Sequence, residues 1–202
     1  MLTLHFAPQS RALRAAWMLE ELGLDYTLVR YDLTDPALRS PAYRALHPMG
    51  RVPLLEDGDV RVMESGAILE YLSARHGGGR LRPAVESAAF PAYLQWLHYA
   101  EGMLMPPVNA YMVETFFLPP ERQSEEHAGR AKRLLGRMLS PVEAALSEAA
   151  YLAGAFSMAD IMTGSAVMSA QMVGVPFDDL PHLRAYVARL QGRAAYQVAA
   201  AL

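Results

Sequence analysis

Three consecutive glycines, Gly77-Gly78-Gly79, followed by Leu81-Arg82-Pro83, divide the chain into two stretches with different hydrophobic periods. Glycine and proline together interrupt both helical and strand patterns, so the place reads as a linker between domains. Before it, short runs of period two alternate with helical runs. After it only helical spacing is found: Tyr93, Leu94, Leu97, Ala100 and Leu104, then Ala131, Leu134, Leu135, Met138 and Leu139. A chain of 202 residues has room for one large domain or two small ones, and 52% hydrophobic content is ample for a packed core. The expected domains are 1–78 and 84–202.

In the first stretch Leu2, Leu4 and Phe6 alternate with Thr3 and His5, which predicts a strand ended by the loop Ala7-Pro8-Gln9-Ser10. Ser10 is placed to cap a helix that turns Leu13, Ala16, Trp17, Leu19 and Leu22 inward and stops at Gly23. Tyr26 to Tyr31 supplies a second strand. Pro36 and Pro41 set turns or helix starts in an irregular connection up to His47. Leu54-Leu55-Glu56 and Val60-Arg61-Val62 flank Asp57-Gly58-Asp59, a hairpin signal, and a helix runs from Ser65 to about Arg75. This order, βαβ then ββα, is that of a thioredoxin-like α/β layer, and the second stretch is expected to be an all-α bundle. Within it Pro106-Pro107 should end or kink one helix, and Ser140-Pro141 should kink or divide another.

The charge pattern narrows the partners. A net charge of −3 with no cluster of Lys and Arg among aromatics excludes a nucleic-acid footprint. Met1 to Phe6 lacks a leader's charged and apolar regions, and no apolar run approaches a membrane span, so a cytoplasmic protein without membrane contact is expected. With no cysteine, disulfides, thiolate metal sites and any protein thiol nucleophile are excluded, and sulfur chemistry has to arrive with a substrate.

Two short elements stand out within the first stretch, Gly50-Arg51-Val52-Pro53 and Glu64-Ser65-Gly66. Pro53 cannot donate to a strand ladder, so backbone beside it faces outward at a strand end. A cis Val52-Pro53 bond would turn the Val52 amide and carbonyl into a cleft where another peptide can pair with them. Glu64-Ser65 directly precedes the apolar repeat Ile68, Leu69 and Leu72, and a helix entrance there suits a carboxylate. A backbone edge and an anion-holding entrance, eleven positions apart, suit a small anionic peptide.

These elements resemble the glutathione-binding half of the glutathione S-transferases, of the bacterial cytosolic type. The Leu-Glu-Glu-Leu-Gly-Leu-Asp-Tyr run ending at Tyr26 and Phe156-Ser157-Met158-Ala159-Asp160 extend the resemblance over most of the chain. It implies a homodimeric glutathione transferase, active in detoxification, with glutathione as co-substrate, a small hydrophobic electrophile as partner and no metal. The resemblance assigns the cysteinyl unit to the backbone of Val52 beside Pro53, the γ-glutamyl end to Glu64 and Ser65, and the glycyl carboxylate to Arg51. Ser10 stands where the family places its thiol-activating group, as a serine rather than a tyrosine, and Gln9 or His5 are the alternatives for that place. A histidine on the outward face of a strand is ordinarily solvated. Glu101, Met103 and Tyr111 are implied in the electrophile pocket or in a contact across the dimer. The usual Asn before Pro-x-Gly is His47 here. Phe156 to Ile161 reads as a capping box with a hydrophobic staple, a packing element outside the site. Glutathione-dependent isomerisation, dehalogenation or peroxide reduction, or a non-catalytic ligand-binding or scaffold role, are the alternatives the same resemblance allows.

Overall fold

The computed structural model describes residues 1–202, which divide into two compact units, Met1–Arg82 with Gly192–Leu202, and Pro83–Gln191. In the first, β1 (Leu2–Phe6), β2 (Tyr26–Arg30), β3 (Leu54–Asp57) and β4 (Val60–Met63) form one sheet in the order β2-β1-β3-β4. β1 and β2 are parallel and joined through α1 (Ala12–Leu22), whereas β3 runs antiparallel to both β1 and β4. The βαβ-ββα order is therefore the observed one, completed by α3 (Ser65–Arg75). Between β2 and β3, Asp35 caps a 3₁₀ turn at Pro36–Arg39 and Ser40 caps α2 (Pro41–Leu46), each side chain accepting an amide hydrogen bond.

Leu2, Leu4 and Phe6 are buried along one face of β1, as the alternation requires. His5, on the other face, departs from expectation. It is only 4% exposed, because Tyr31 and Tyr43 stack and tilt against its ring at 5.8 and 5.5 Å and remove it from solvent.

The triple glycine is not a loose tether. Arg80 donates to the Leu22 carbonyl at 2.6 Å and accepts at its own carbonyl from the Ser73 hydroxyl, fastening the segment to the ends of α1 and α3. The unit boundary falls after Arg82, and the chain end differs from the expected division: α9 (Ala194–Ala200) belongs to the first unit. The reason lies in two contacts across 172 positions of sequence: the Arg193 guanidinium forks onto the Glu21 carboxylate, whose Oε1 also accepts from the Trp17 indole at 2.9 Å. Tyr196 then meets Trp17 edge-on at 4.9 Å.

The second unit is wholly helical: α4 (Phe90–Tyr99), α5 (Met105–Met112), α6 (Glu125–Glu148), α7 (Met158–Met172) and α8 (Pro181–Gln191). α7 is buried on every side from Met158 to Val167, the mark of a central helix. Gly164 lets α8 pack closely there, since a Cβ would stand 2.3 Å from the Leu190 side chain and would push it aside. Asp160, fully buried, accepts from the amides of Leu152 and Ser157 and from the Tyr186 hydroxyl at 2.9–3.0 Å. Burial pushes its carboxyl above the ordinary value, with the hydrogen bonds acting against it.

The prolines act differently from expectation. Pro106 and Pro107 sit in the first turn of α5, and the irregularity lies upstream, as a π-helical turn at Ala100–Leu104. Without proline N–H groups the helix ladder loses two donors, and the wider turn absorbs the mismatch. α6 runs through Pro141 undivided for 24 residues. No helix is long and apolar enough to cross a membrane.

Candidate functional site

Strand register assembles the site. His5 is opposite Leu54, and Leu54 is opposite Met63. The loop after β1, the segment entering β3 and the segment leaving β4 therefore meet at one end of the sheet. They carry Gln9-Ser10, Arg51-Val52-Pro53 and Glu64-Ser65.

Ser10 is half-buried between β1 and α1. Its hydroxyl donates to the Ala7 carbonyl at 2.7 Å and accepts from the Ala12 amide at 3.1 Å. The expected capping contact is thus present, one residue ahead of the assigned helix boundary. Gln9 is exposed and holds φ = 57°, a left-handed conformation that non-glycine residues adopt at a cost.

The Val52-Pro53 peptide is cis. The turn before it is closed by the Gly50 amide donating to the His47 carbonyl at 2.8 Å, and by the Tyr43 hydroxyl donating to the Arg51 carbonyl at 2.8 Å. Gly50 has φ = 59°, and a Cβ there would lie 2.3 Å from the Leu38 carbonyl oxygen, so no other residue fits. Arg51 is exposed, Val52 half-buried and Pro53 buried.

At the third segment Glu64 is exposed with φ = 69° and ψ = 120°, and its side chain gives α3 no cap. Ser65 is buried, and its hydroxyl oxygen accepts from the Arg14 guanidinium at 3.1 Å. Arg14, only 2% exposed, was not among the residues that helical spacing turned inward. One signal did point to it: four positions after Ser10, it shares that residue's helix face.

His5 does not lie on a solvated face. Its Nδ1 is 3.0 Å from the Tyr31 hydroxyl and its Nε2 2.9 Å from Glu56, so both ring nitrogens are engaged. The His5 hydrogen bond, with Arg61 assisting, holds the Glu56 carboxyl below its usual range. Desolvation pushes the Tyr43 phenol far above its ordinary value, which keeps it a hydrogen-bond donor.

Glu101 and Met103 lie in the π turn of the second unit. Tyr111, on α5, borders a cavity of about 380 Å³ whose wall includes Glu114, Thr115, Gln123 and Ser124.

The family models for the glutathione S-transferase N-terminal and C-terminal domains match residues 1–74 and 104–194. The chain belongs to the glutathione S-transferase family. It is 36% identical over 192 residues to glutathione S-transferase 4 of Zea mays, covering 90% of this chain and 83% of that protein. Among solved structures, the theta class glutathione S-transferase of Xanthomonas axonopodis pv. citri, with glutathione bound, superposes with a TM-score of 0.87 at 30% identity, covering 100% of this chain and 97% of that one. BphK, a bacterial transferase solved as a ternary complex, gives a TM-score of 0.85 at 28% identity over 98% of each chain. The thioredoxin-like and helical halves, and the transferase function, follow from this membership.

Proposed function

We propose that this glutathione transferase activates the tripeptide's thiol through the Ser10 hydroxyl and passes the resulting thiolate to the electrophilic carbon of a hydrophobic substrate. A free thiol titrates near ~8.5, and only its anion is a strong nucleophile, so lowering that value is the first task. Serine serves here as a donor, not as a base. The observation that carries this reading is the pair of bonds at Oγ: the Ala12 amide at the mouth of α1 polarises the hydroxyl, whose hydrogen can turn from the Ala7 carbonyl to sulfur. The positive end of α1 favours the same anion.

The tripeptide is held on either side of that sulfur. The Val52 backbone pairs with the cysteinyl unit beside Pro53, as a strand edge pairs with a peptide. Glu64 meets the γ-glutamyl ammonium and Ser65 its carboxylate, with Arg14 orienting the Ser65 hydroxyl from behind. Arg51 faces the glycyl carboxylate. The thiol proton leaves to water, and the thiolate lone pair then forms the new carbon–sulfur bond as the bond from that carbon to its leaving group breaks and the leaving group takes the electron pair. Met103, 40% exposed, and Tyr111 offer apolar surface of the kind hydrophobic electrophiles require. A homodimer in the cytoplasm, working in detoxification, completes the reading, and analytical ultracentrifugation tests the assembly.

The direct test is retention on immobilised glutathione combined with conjugation by the Ser10→Ala variant. Binding that survives with lost conjugation and a raised thiol pKa in the complex supports the assignment. Undiminished conjugation passes the donor role to Gln9, and no retention of the wild-type chain removes the glutathione site.

A further inference from the structure

His47 is 8% exposed, and its Nδ1 is a buried polar atom without a hydrogen-bond partner. Leaving such an atom unpaired costs about 1–3 kcal/mol, so a group that arrives and pairs with it recovers that cost, while within the chain the only hydrogen-bonding influence on the ring comes from the residue's own backbone. The residue ends α2, and its carbonyl closes the turn onto the Gly50 amide, which fixes its backbone at the start of the turn leading into Gly50-Arg51-Val52. Arg51 and Glu64 are its charged neighbours. Burial holds the imidazole below its ordinary pKa, so the ring is neutral at neutral pH and carries one N–H for donation.

Resting on the glutathione reading above, we infer that His47 is a further ligand-binding residue whose Nδ1–H donates to the glycyl carboxylate of glutathione, beside Arg51. Direction of pairing selects that end of the tripeptide. In an antiparallel pair, the residue following the ligand's cysteinyl unit lies opposite the residues preceding Val52. Those are Arg51, Gly50 and the turn that His47 closes. The γ-glutamyl end runs the other way, toward Leu54, whose ladder partner Met63 leads into Glu64.

The geometry of the side chain supplies a discriminating test. The amide of asparagine overlays Nδ1 of histidine, whereas that of glutamine reaches toward Nε2. Calorimetric titration of the full chain with glutathione and with γ-glutamylcysteine, which lacks the glycyl unit, separates the two ends of the ligand. His47→Ala should weaken glutathione binding about tenfold, or about 1.4 kcal/mol, and leave γ-glutamylcysteine within about twofold. His47→Asn should restore most of the affinity, and His47→Gln should not. Should His47→Ala fail to fold, the Asn and Gln pair carries the comparison alone. Equal loss on both ligands, or no loss on glutathione, overturns the inference and leaves His47 a packing residue. A wild-type chain that binds neither ligand overturns the glutathione reading itself, a result distinct from either.

Discussion

The two units each contain a helix that begins beside a serine and an acid, and the two entrances are finished in opposite ways. At α7 the chain supplies everything: Asp160 reaches back to the Ser157 amide, takes the Leu152 amide as well, and is fully buried beneath Tyr186. At α3 the acid comes before the serine, Glu64 holds φ = 69° with its side chain in solvent, and it gives the helix no cap. Similar residue types thus yield a self-capped entrance in one place and an uncapped one, where we propose that a carboxylate binds, in the other. What decides between them is order. An acid at the third helical position can curl back onto the first amides, and an acid ahead of the helix cannot. An entrance finished by its own chain is worth stability, and under the proposed function the open one is worth affinity.

The largest expected effect comes from breaking the finished entrance. Asp160→Ala strands two backbone amides and the Tyr186 hydroxyl in the core of the second unit. At about 1–3 kcal/mol for each of the three unpaired groups, the loss should be about 3–9 kcal/mol and lower the thermal midpoint by about 6 °C or more. Differential scanning calorimetry reads it directly. Folded variant protein should still bind glutathione with wild-type affinity, because the partners of Asp160, namely Leu152, Ser157 and Tyr186, all belong to the second unit. Weaker binding by the folded fraction would show that the two entrances are not independent.

Second in size is Ser10→Ala. Removing one donor from a developing anion costs roughly a hundred- to thousandfold in turnover, against about 1 kcal/mol of stability for a lost cap. Steady-state kinetics beside thermal unfolding should therefore show a large fall in kcat with a small shift in midpoint, the reverse of Asp160→Ala.

A smaller effect, with opposite signs in two assays, is expected at the open entrance. Glu64→Gly relieves a left-handed conformation that costs of order 1 kcal/mol or more in a residue with a Cβ, so the variant should be as stable as the wild type or more so. Its affinity for glutathione should fall about tenfold with the γ-glutamyl ammonium's partner gone. A variant that loses both stability and affinity would make Glu64 a structural residue like Asp160.

Much of this contrast was legible in the sequence. The limits of α3 follow from Glu64-Ser65 and the spacing of Ile68, Leu69 and Leu72, and the β3–β4 hairpin from Asp57-Gly58-Asp59. The capping role of Asp160 follows from its position three residues after Ser157. What escaped depends on contacts between distant parts of the chain. Arg14 is buried because α3 brings Ser65 over it, and His5 because Tyr31 and Tyr43 arrive from later elements to cover a face that alternation alone leaves to solvent. α9 reads as one more helix of the second unit until Glu21 and Trp17 are seen to hold Arg193 and Tyr196. Proline misled in a more local way: a helix can widen by one residue per turn, or carry one missing bond, and continue.

Acid should sharpen the comparison with the smallest effect of the series, because the two entrances respond to pH with opposite sign. At the end of α2, with Glu64 of the α3 entrance among its charged neighbours, burial lowers the pKa of His47, so the unfolded chain binds a proton that the folded one refuses. Stability from this group is therefore full above the ordinary histidine value and falls as pH drops through it, until the folded imidazole also titrates. At α7, burial raises the pKa of Asp160, so the folded chain takes the proton first. Its contribution is full below the ordinary aspartate value and is lost as pH rises through the folded one. Hydrogen exchange followed residue by residue separates the two. As pH falls below about 6.5, protection corrected for intrinsic exchange should decrease at the Ile68 amide, which donates to the Glu64 carbonyl, before it changes at the Ser157 and Leu152 amides held by Asp160. His47→Asn removes the titrating ring and should flatten the first response while leaving the second in place. Parallel loss at both helices would mean that acid acts on the chain as a whole, and the contrast between a helix mouth kept open and one sealed would then have no bearing on pH.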